Sequence, residues 1–272
     1  YPMLRMGEIQ STQGDLQSSE ETFTETLPYL KNDTAKNYLA FVYNSLALIY
    51  LEQHNHDQAW LYYQKSYAIT QDSLSKNIIK NNIAYNNIKQ GNYLKAITLL
   101  NTIKNNDTLK QHPTEWARAL DNLGFAYYKQ SHIELAKHYL EQAKQLREHH
   151  KDSLGLTASF IHLALLHQKT NPSLALKNAI GALKTATKTN NPNDRLEALS
   201  FLIEHDNAVQ AKQYALEYLQ LNDSITTVKQ KAKNQFAKIK YDSKQALLEA
   251  KKQKTIKEYS LIGLLCFFVF SI

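Results

Sequence analysis

With 272 residues, 43% of them hydrophobic, and only seven Gly and five Pro, the chain has the composition of a large-cored helical array rather than a strand-rich fold. Its one cysteine, Cys266, excludes an internal disulfide framework and a cysteine-based zinc site. The net charge of +7 lies in residues 228–258, ten Lys against three acids; the remaining 22 basic and 22 acidic residues balance, which argues against nucleic acid as a partner.

In chain order, residues 1–32 form a first helical pair, already under way at Leu4 and Gly7, with a turn at Gly14 and Phe23 on its second helix. The chain is expected to begin part-way through a longer protein. Residues 33–72 place Leu46, Ala47 and Tyr50 on one helix and Ala59 and Tyr63 on the next. Trp60, Tyr62 and Tyr67 add bulk read as packing between pairs. Residues 73–112 carry Ile83, Ala84, Ala96 and Leu100 around a Gly91-Asn92 turn. The polar run Asn105 to Thr108, with Pro113 after it, reads as the longest loop. Residues 113–151 hold Leu120, Leu123, Gly124, Tyr127, Ala136, Leu140 and Ala143. Residues 152–190 hold Leu163, Ala164 and Ala175 around Asn171-Pro172, and residues 191–221 hold Leu199, Ile203, Ala211 and Ala215. Pro2, Pro28, Pro113, Pro172 and Pro192 mark helix starts or breaks.

These segments are one unit repeated. A small residue recurs on each first helix at Gly7, Ala47, Ala84, Gly124, Ala164 and Ser200, with separations of 40, 37, 40, 40 and 36 residues. A second small residue follows at Ser19, Ala59, Ala96, Ala136, Ala175 and Ala211, one position early in the last two units, where shorter turns are expected. Small residues at these places let two antiparallel helices cross closely. In residues 117–150 the offsets of Leu123-Gly124, Tyr127, Ala136 and Leu140 match the tetratricopeptide pattern, and the chain resembles that repeat family over roughly 1–221. The resemblance implies an all-α, right-handed solenoid of about six helical hairpins with a concave groove, and implies no chemistry.

Residues 222–258 read as a long basic helix. Phe236, Ile239, Ala246 and Ala250 fall at a loose coiled-coil spacing through which a second copy would pair as a homodimer. Residues 259–272, YSLIGLLCFFVFSI, are nearly all apolar. They are shorter than the roughly 20 residues a bilayer requires, so they are read as the truncated start of a transmembrane helix that contacts the lipid bilayer, with Cys266 buried in it. The ending Leu221 to Ser224, followed by Asn234 to Lys244, resembles bacterial membrane-anchored tetratricopeptide signalling proteins. That likeness implies an extracytoplasmic sensor, a single inner-membrane span, and a histidine-kinase or helix-turn-helix output domain beyond it. Lys251, Lys252, Lys254 and Lys257 before the apolar run argue for the opposite orientation. Long domains committed to export translocate largely regardless of charge, so the extracytoplasmic orientation is kept.

No nucleophile elbow, phosphate loop or recognisable carboxylate pair is present, and no cofactor is expected; the segment reads as a binding module, not an enzyme. The pairs His54/His56, His149/His150 and His162/His167 lack the helical spacing of metal ligands. The candidate site is the groove. Residues two or three before each first-helix small position, and one after it, are expected to face it. These are Asn44 and Leu48; Asn81, Asn82 and Tyr85; Asp121, Asn122 and Phe125; Ile161, His162 and Leu165; and Glu197 and Phe201. An amide donates and accepts at once, so a ladder of asparagines suits the backbone of an extended peptide or protein segment. Two functions follow: a ligand sensor in a membrane signalling protein, or a membrane-tethered scaffold for protein assembly without signalling output.

Overall fold

The computed structural model describes residues 2–30 and 35–270, with residues 258–270 described through their backbone only. Every regular element among them is helical. The helices pair as α1 (Pro2–Thr12) with α2 (Leu16–Thr26), α3 (Lys36–Glu52) with α4 (His56–Ile69), and α5 (Ser73–Lys89) with α6 (Tyr93–Asn101). A single turn, α7 (Asp107–Lys110), precedes α8 (Pro113–Lys129) with α9 (Ile133–His149), α10 (Ser153–His167) with α11 (Pro172–Lys188), and α12 (Pro192–His205) with α13 (Ala208–Phe270). Pro113, Pro172 and Pro192 occupy the first helical turn, where a missing N–H costs nothing.

The turns inside the first four pairs are built alike. Gly14, His54, Gly91 and Ser131, each in the left-handed backbone region, terminate α1, α3, α5 and α8. Asp15 and Asn55 then accept N–H groups from the first turns of α2 and α4. Where glycine supplies the left-handed residue the conformation is unstrained; at His54 and Ser131 the side chain makes it less favourable.

The small positions lie at helix crossings in the first five pairs. Ala47, Ala84 and Ala164 are fully buried, as are Ala59, Ala96 and Ala136. At Gly124 an added Cβ would lie 2.8 Å from Leu140 Cγ and 3.0 Å from the Leu140 backbone nitrogen, so the two backbones meet where no side chain fits. At Gly7 the space is taken by the Phe23 ring, and Ser19 Oγ donates to the Gly7 carbonyl at 2.7 Å.

Several expectations are corrected. The connection at residues 102–112 is the longest between pairs, as expected, but it is not open: Asn106 caps α7, and Leu109 is buried against α5, α6 and α8 residues. Trp60 is exposed rather than packed between pairs, and Tyr62 stacks on Tyr50 of its own pair with centroids 5.4 Å apart, whereas Tyr67 packs toward α5, in the cluster of Ile79 and Ile83. The turn after α10 is not shortened. It spans residues 168–171 against 130–132 after α8, and Ala175 arrives early because α10 ends three residues beyond Ala164, whereas α8 runs five beyond Gly124. Only the link at residues 206–207 is short. In that last pair the register differs: α12 buries Ala198, Leu199, Phe201 and Leu202, leaving Ser200 exposed and Ala211 half-buried.

The largest departure is α13. It is one unbroken helix from the last pair to Phe270, and the expected change of segment at residue 222 falls within it. Its middle returns to the first pair. Lys229 fills the space over Gly14, Ala232 and Phe236 are buried, and Lys240 Nζ lies 2.6 Å from Glu21 and 3.7 Å from Glu25. The stripe expected to recruit a second copy is therefore used within the chain as far as Phe236 and Ile239. Beyond Ser243 the described side chains are exposed, and Leu247, Leu248 and Ile256 do not share one heptad seam. Among the described residues no helix is long and apolar enough to cross a membrane; the expected start of a span at residues 259–272 lies outside the described side chains.

The closure makes a measurable difference between two parts of one helix. In hydrogen–deuterium exchange, amides of residues 229–243 should be protected relative to residues 245–257. Phe236→Asp should bring the two to equal rates while α8 and α9 remain unchanged. Equal rates in the unaltered chain would show that α13 does not dock on the first pair.

Candidate functional site

The first helices of successive pairs, α3, α5, α8, α10 and α12, line a groove of about 590 Å³. Its floor is a polar ladder between neighbouring helices. Asn82 Nδ2 donates to Asn44 Oδ1 at 3.1 Å, and Asn122 Nδ2 donates to Asn81 Oδ1 at 3.0 Å. On the next rung His162 Nδ1 lies 2.8 Å from Asp121 Oδ2. Each rung thus joins one first helix to the next, about one repeat apart in sequence. Asn81 lines the groove and is 2% exposed, and its Nδ2 has no partner among the described residues, so the ladder keeps an unpaired donor buried in the groove floor.

Asp121 anchors the deepest part. Burial alone would raise its carboxyl, but His162 and Arg147 beside it outweigh that and hold it below the ordinary carboxylate range. An ionised Asp121 makes the His162 Nδ1 the donor in their contact. Arg147 reaches under the groove from α9, 3.2 Å from Asp121, and its Nη1 donates to Ser159 Oγ at 2.6 Å. Arg147 and Asp121 are each only 3% exposed at their side chains, so neither charge has water as an alternative partner. Gly155 leaves room for this arrangement: a Cβ there would lie 2.6 Å from Arg147 Nε.

Above the floor the walls are aromatic and charged. The His162 ring stacks on Phe125 with centroids 4.2 Å apart and planes 17° from parallel. Lys89 Nζ stands 5.1 Å from the Tyr85 ring centre, and Lys129 Nζ is 5.9 Å from both Tyr93 and Phe125. Burial lowers the Lys89 ammonium, yet Tyr85, Glu197 and Glu52 raise it further, and the net shift is upward. On the opposite wall burial and the neighbouring Glu197 push the Asp194 carboxyl up to about 6. The groove therefore offers ammonium groups from α5 and α8 and carboxylates from α12.

Eleven of the thirteen sequence candidates line this groove: Leu48, Asn81, Asn82, Tyr85, Asp121, Asn122, Phe125, Ile161, His162, Leu165 and Glu197. Asn44 lies in an adjoining recess between the second and third pairs, tied to the groove through Asn82. Phe201 does not face it. It is 6% exposed, packed with Ala164, Ala175 and Ala179, because α12 carries its buried face in a different register. The asparagines are also not an open ladder, since their first hydrogen bonds go to one another.

Lys89 and Lys129 were not among the sequence candidates, although they sit five residues after Ala84 and Gly124. That is one helical turn beyond Tyr85 and Phe125 on the same face, so the signal was available in the repeat. Arg147 gave none, being a charged residue on a second helix whose burial depends on Asp121 from another helix.

Residues 117–150 match the tetratricopeptide repeat family. No curated protein matches the chain by sequence. Among solved structures it is similar in fold to the apo form of RapI, at 14% identity with a TM-score of 0.64, covering 88% of this chain and 98% of that one. It is also similar to the Rap conjugation gene regulator of plasmid pLS20 in complex with the Phr* peptide, at 14% identity and TM-score 0.68, covering 87% and 74%. PilF of Pseudomonas aeruginosa matches at 18% identity and TM-score 0.52, covering 86% and 96%. At these identities the likeness is one of fold, an all-helical repeat array.

The Asp121 cluster sets an acid dependence. A carboxyl held below its ordinary value of 3.8 contributes stability that is present above about pH 4 and lost as pH falls through the lower folded value. Asp121→Asn leaves the buried Arg147 with only the more distant Asp152 carboxylate, 3.9 Å from its Nε, a loss approaching the roughly 3–5 kcal/mol of a broken buried pair at pH 7. Urea unfolding at pH 7 and pH 3 should show a wide gap between variant and parent at pH 7 and a narrower one at pH 3. A gap independent of pH would place the stabilising charge elsewhere.

Proposed function

We propose that the chain is a binding module whose groove holds an extended peptide or protein segment, within a membrane-anchored signalling protein. The observation that carries the first part is the groove's floor. Asn81 holds a buried N–H without a partner among the described residues, in a groove it shares with the amides of Asn82 and Asn122 and with the Phe125–His162 ring pair. An extended backbone supplies the carbonyl that Asn81 needs, and an apolar side chain of the ligand would rest on the ring pair. The solved Rap regulator that shares this fold was captured with a peptide, which favours the same use here. No reaction is assigned to the segment.

A library of random decapeptides, selected on the full chain, provides the probes. Phe125→Ala should weaken the selected peptides by about ten-fold or more, the scale of a truncated interface aromatic. Asn122→Ala should cost about five-fold, the net value of one hydrogen bond. Thermal melting identifies variants that still fold. Selected peptides that bind folded Phe125→Ala and Asn122→Ala as tightly as the parent would place binding outside the groove.

The membrane part rests on the apolar run at residues 259–272 and on α13, which joins the last pair to that run as one helix. A change at the repeats could then travel as a rotation or tilt of a single rigid element. The exposed Gln58 offers a site for topology. In cells carrying the full-length protein, Gln58→Cys should react with a membrane-impermeant maleimide once the outer barrier alone is opened. Reaction only after lysis of the inner membrane would reverse the orientation and remove the sensor reading.

A further inference from the structure

A second recess lies away from the groove, where α13 crosses the first pair. It has a volume of about 300 Å³ and is walled by Met3 and Met6 of α1 and by Phe236, Ala237 and Ile239 of α13. That size is at the lower end of small-molecule sites, about 300–1,000 Å³. Glu21 and Lys240, joined at 2.6 Å, close one side. Gln10 of α1 also lines the recess. It is 6% exposed, and its Oε1 has no hydrogen-bond partner among the described residues. A buried acceptor without a donor is unfavourable, and a donor brought by a ligand recovers that loss.

We propose that this recess binds a small aromatic molecule carrying one N–H or O–H donor. The wall chemistry selects the ring. Thioether sulfurs pack favourably at ring edges, and the Phe236 ring offers an offset-stacked or edge-to-face partner. Gln10 Oε1 selects the donor, and the volume limits the molecule to one or two fused rings. Because the walls come from both α1 and α13, an occupant bridges the two and strengthens the closure of the array. The site is independent of the peptide groove, which lies on the first helices of the second to sixth units.

The chain contains two methionines, and both line the recess, so isotope-labelled methionine methyls report on it directly. Indole serves as probe, with N-methylindole as the partner lacking a donor. In spectra of the full chain, indole should shift both methyl signals saturably, and N-methylindole should need about five-fold more for the same shift. Gln10→Leu should make the two probes equivalent. If neither signal moves with indole up to its solubility, or the unaltered chain binds both probes equally, the proposal is wrong. A preference for indole that persists in folded Gln10→Leu would remove Gln10 as the acceptor and overturn it as well. Should that variant fail to fold, the comparison of probes on the unaltered chain still decides.

Discussion

At Gly124 the backbone of α9 stands within 3.0 Å of where a Cβ would be, and the array depends on that approach. Two helices can come so near only where one of them presents hydrogen or a methyl group. The same condition is met by Ala47, Ala84 and Ala164, all without exposure, and by Gly7 against the Phe23 ring. Close crossings hold each pair as a flat unit, and flat units stack so that their first helices line a common wall. A larger side chain at the crossing would splay the pair and misplace its neighbours on both sides, because core side chains relax only partly.

Stacking then determines what the asparagines do. Asn44, Asn81, Asn82 and Asn122 meet in pairs across successive first helices, spending one donor or acceptor each on the stack. The rung at Asp121 and His162 replaces amides with charge, and Arg147 and Ser159 close around it. Fixing the register between units and presenting groups to a ligand are two uses of the same side chains. Their remaining N–H and C=O groups are aimed by the bonds already made, which reduces the ordering that a ligand must supply.

α13 adds a constraint that a plain solenoid lacks. A row of helical pairs contacts only its neighbours, and its curvature is free to vary. Here Lys229, Phe236 and Lys240 bring the last helix back to the first pair. The exposed ion pairs contribute little by themselves, and the buried Phe236 supplies the anchoring contact. Curvature, groove width and the path of the helix toward residue 270 become linked.

The sequence by itself determined the helical class, the unit of about 40 residues and the turns at Gly14 and Gly91, because these follow from local rules: small residues at crossings, prolines at helix starts, glycine where the backbone is left-handed. It also determined most of the groove, since Leu48, Asn82, Tyr85, Phe125 and His162 occupy fixed offsets from those small residues. Only the tertiary structure decided the rest. Phe201 is buried because the two-residue link at 206–207 accompanies a change of register that no motif announces. Arg147 belongs to the site because its charge is matched by Asp121 from another helix. The stripe at Phe236 and Ile239 packs on α1 and α2 because α13 runs unbroken across the array, a contact between residues more than 200 positions apart whose pattern is equally that of a dimer seam. Periodicity states that a face is apolar; which surface covers it depends on where the whole chain has carried the other elements.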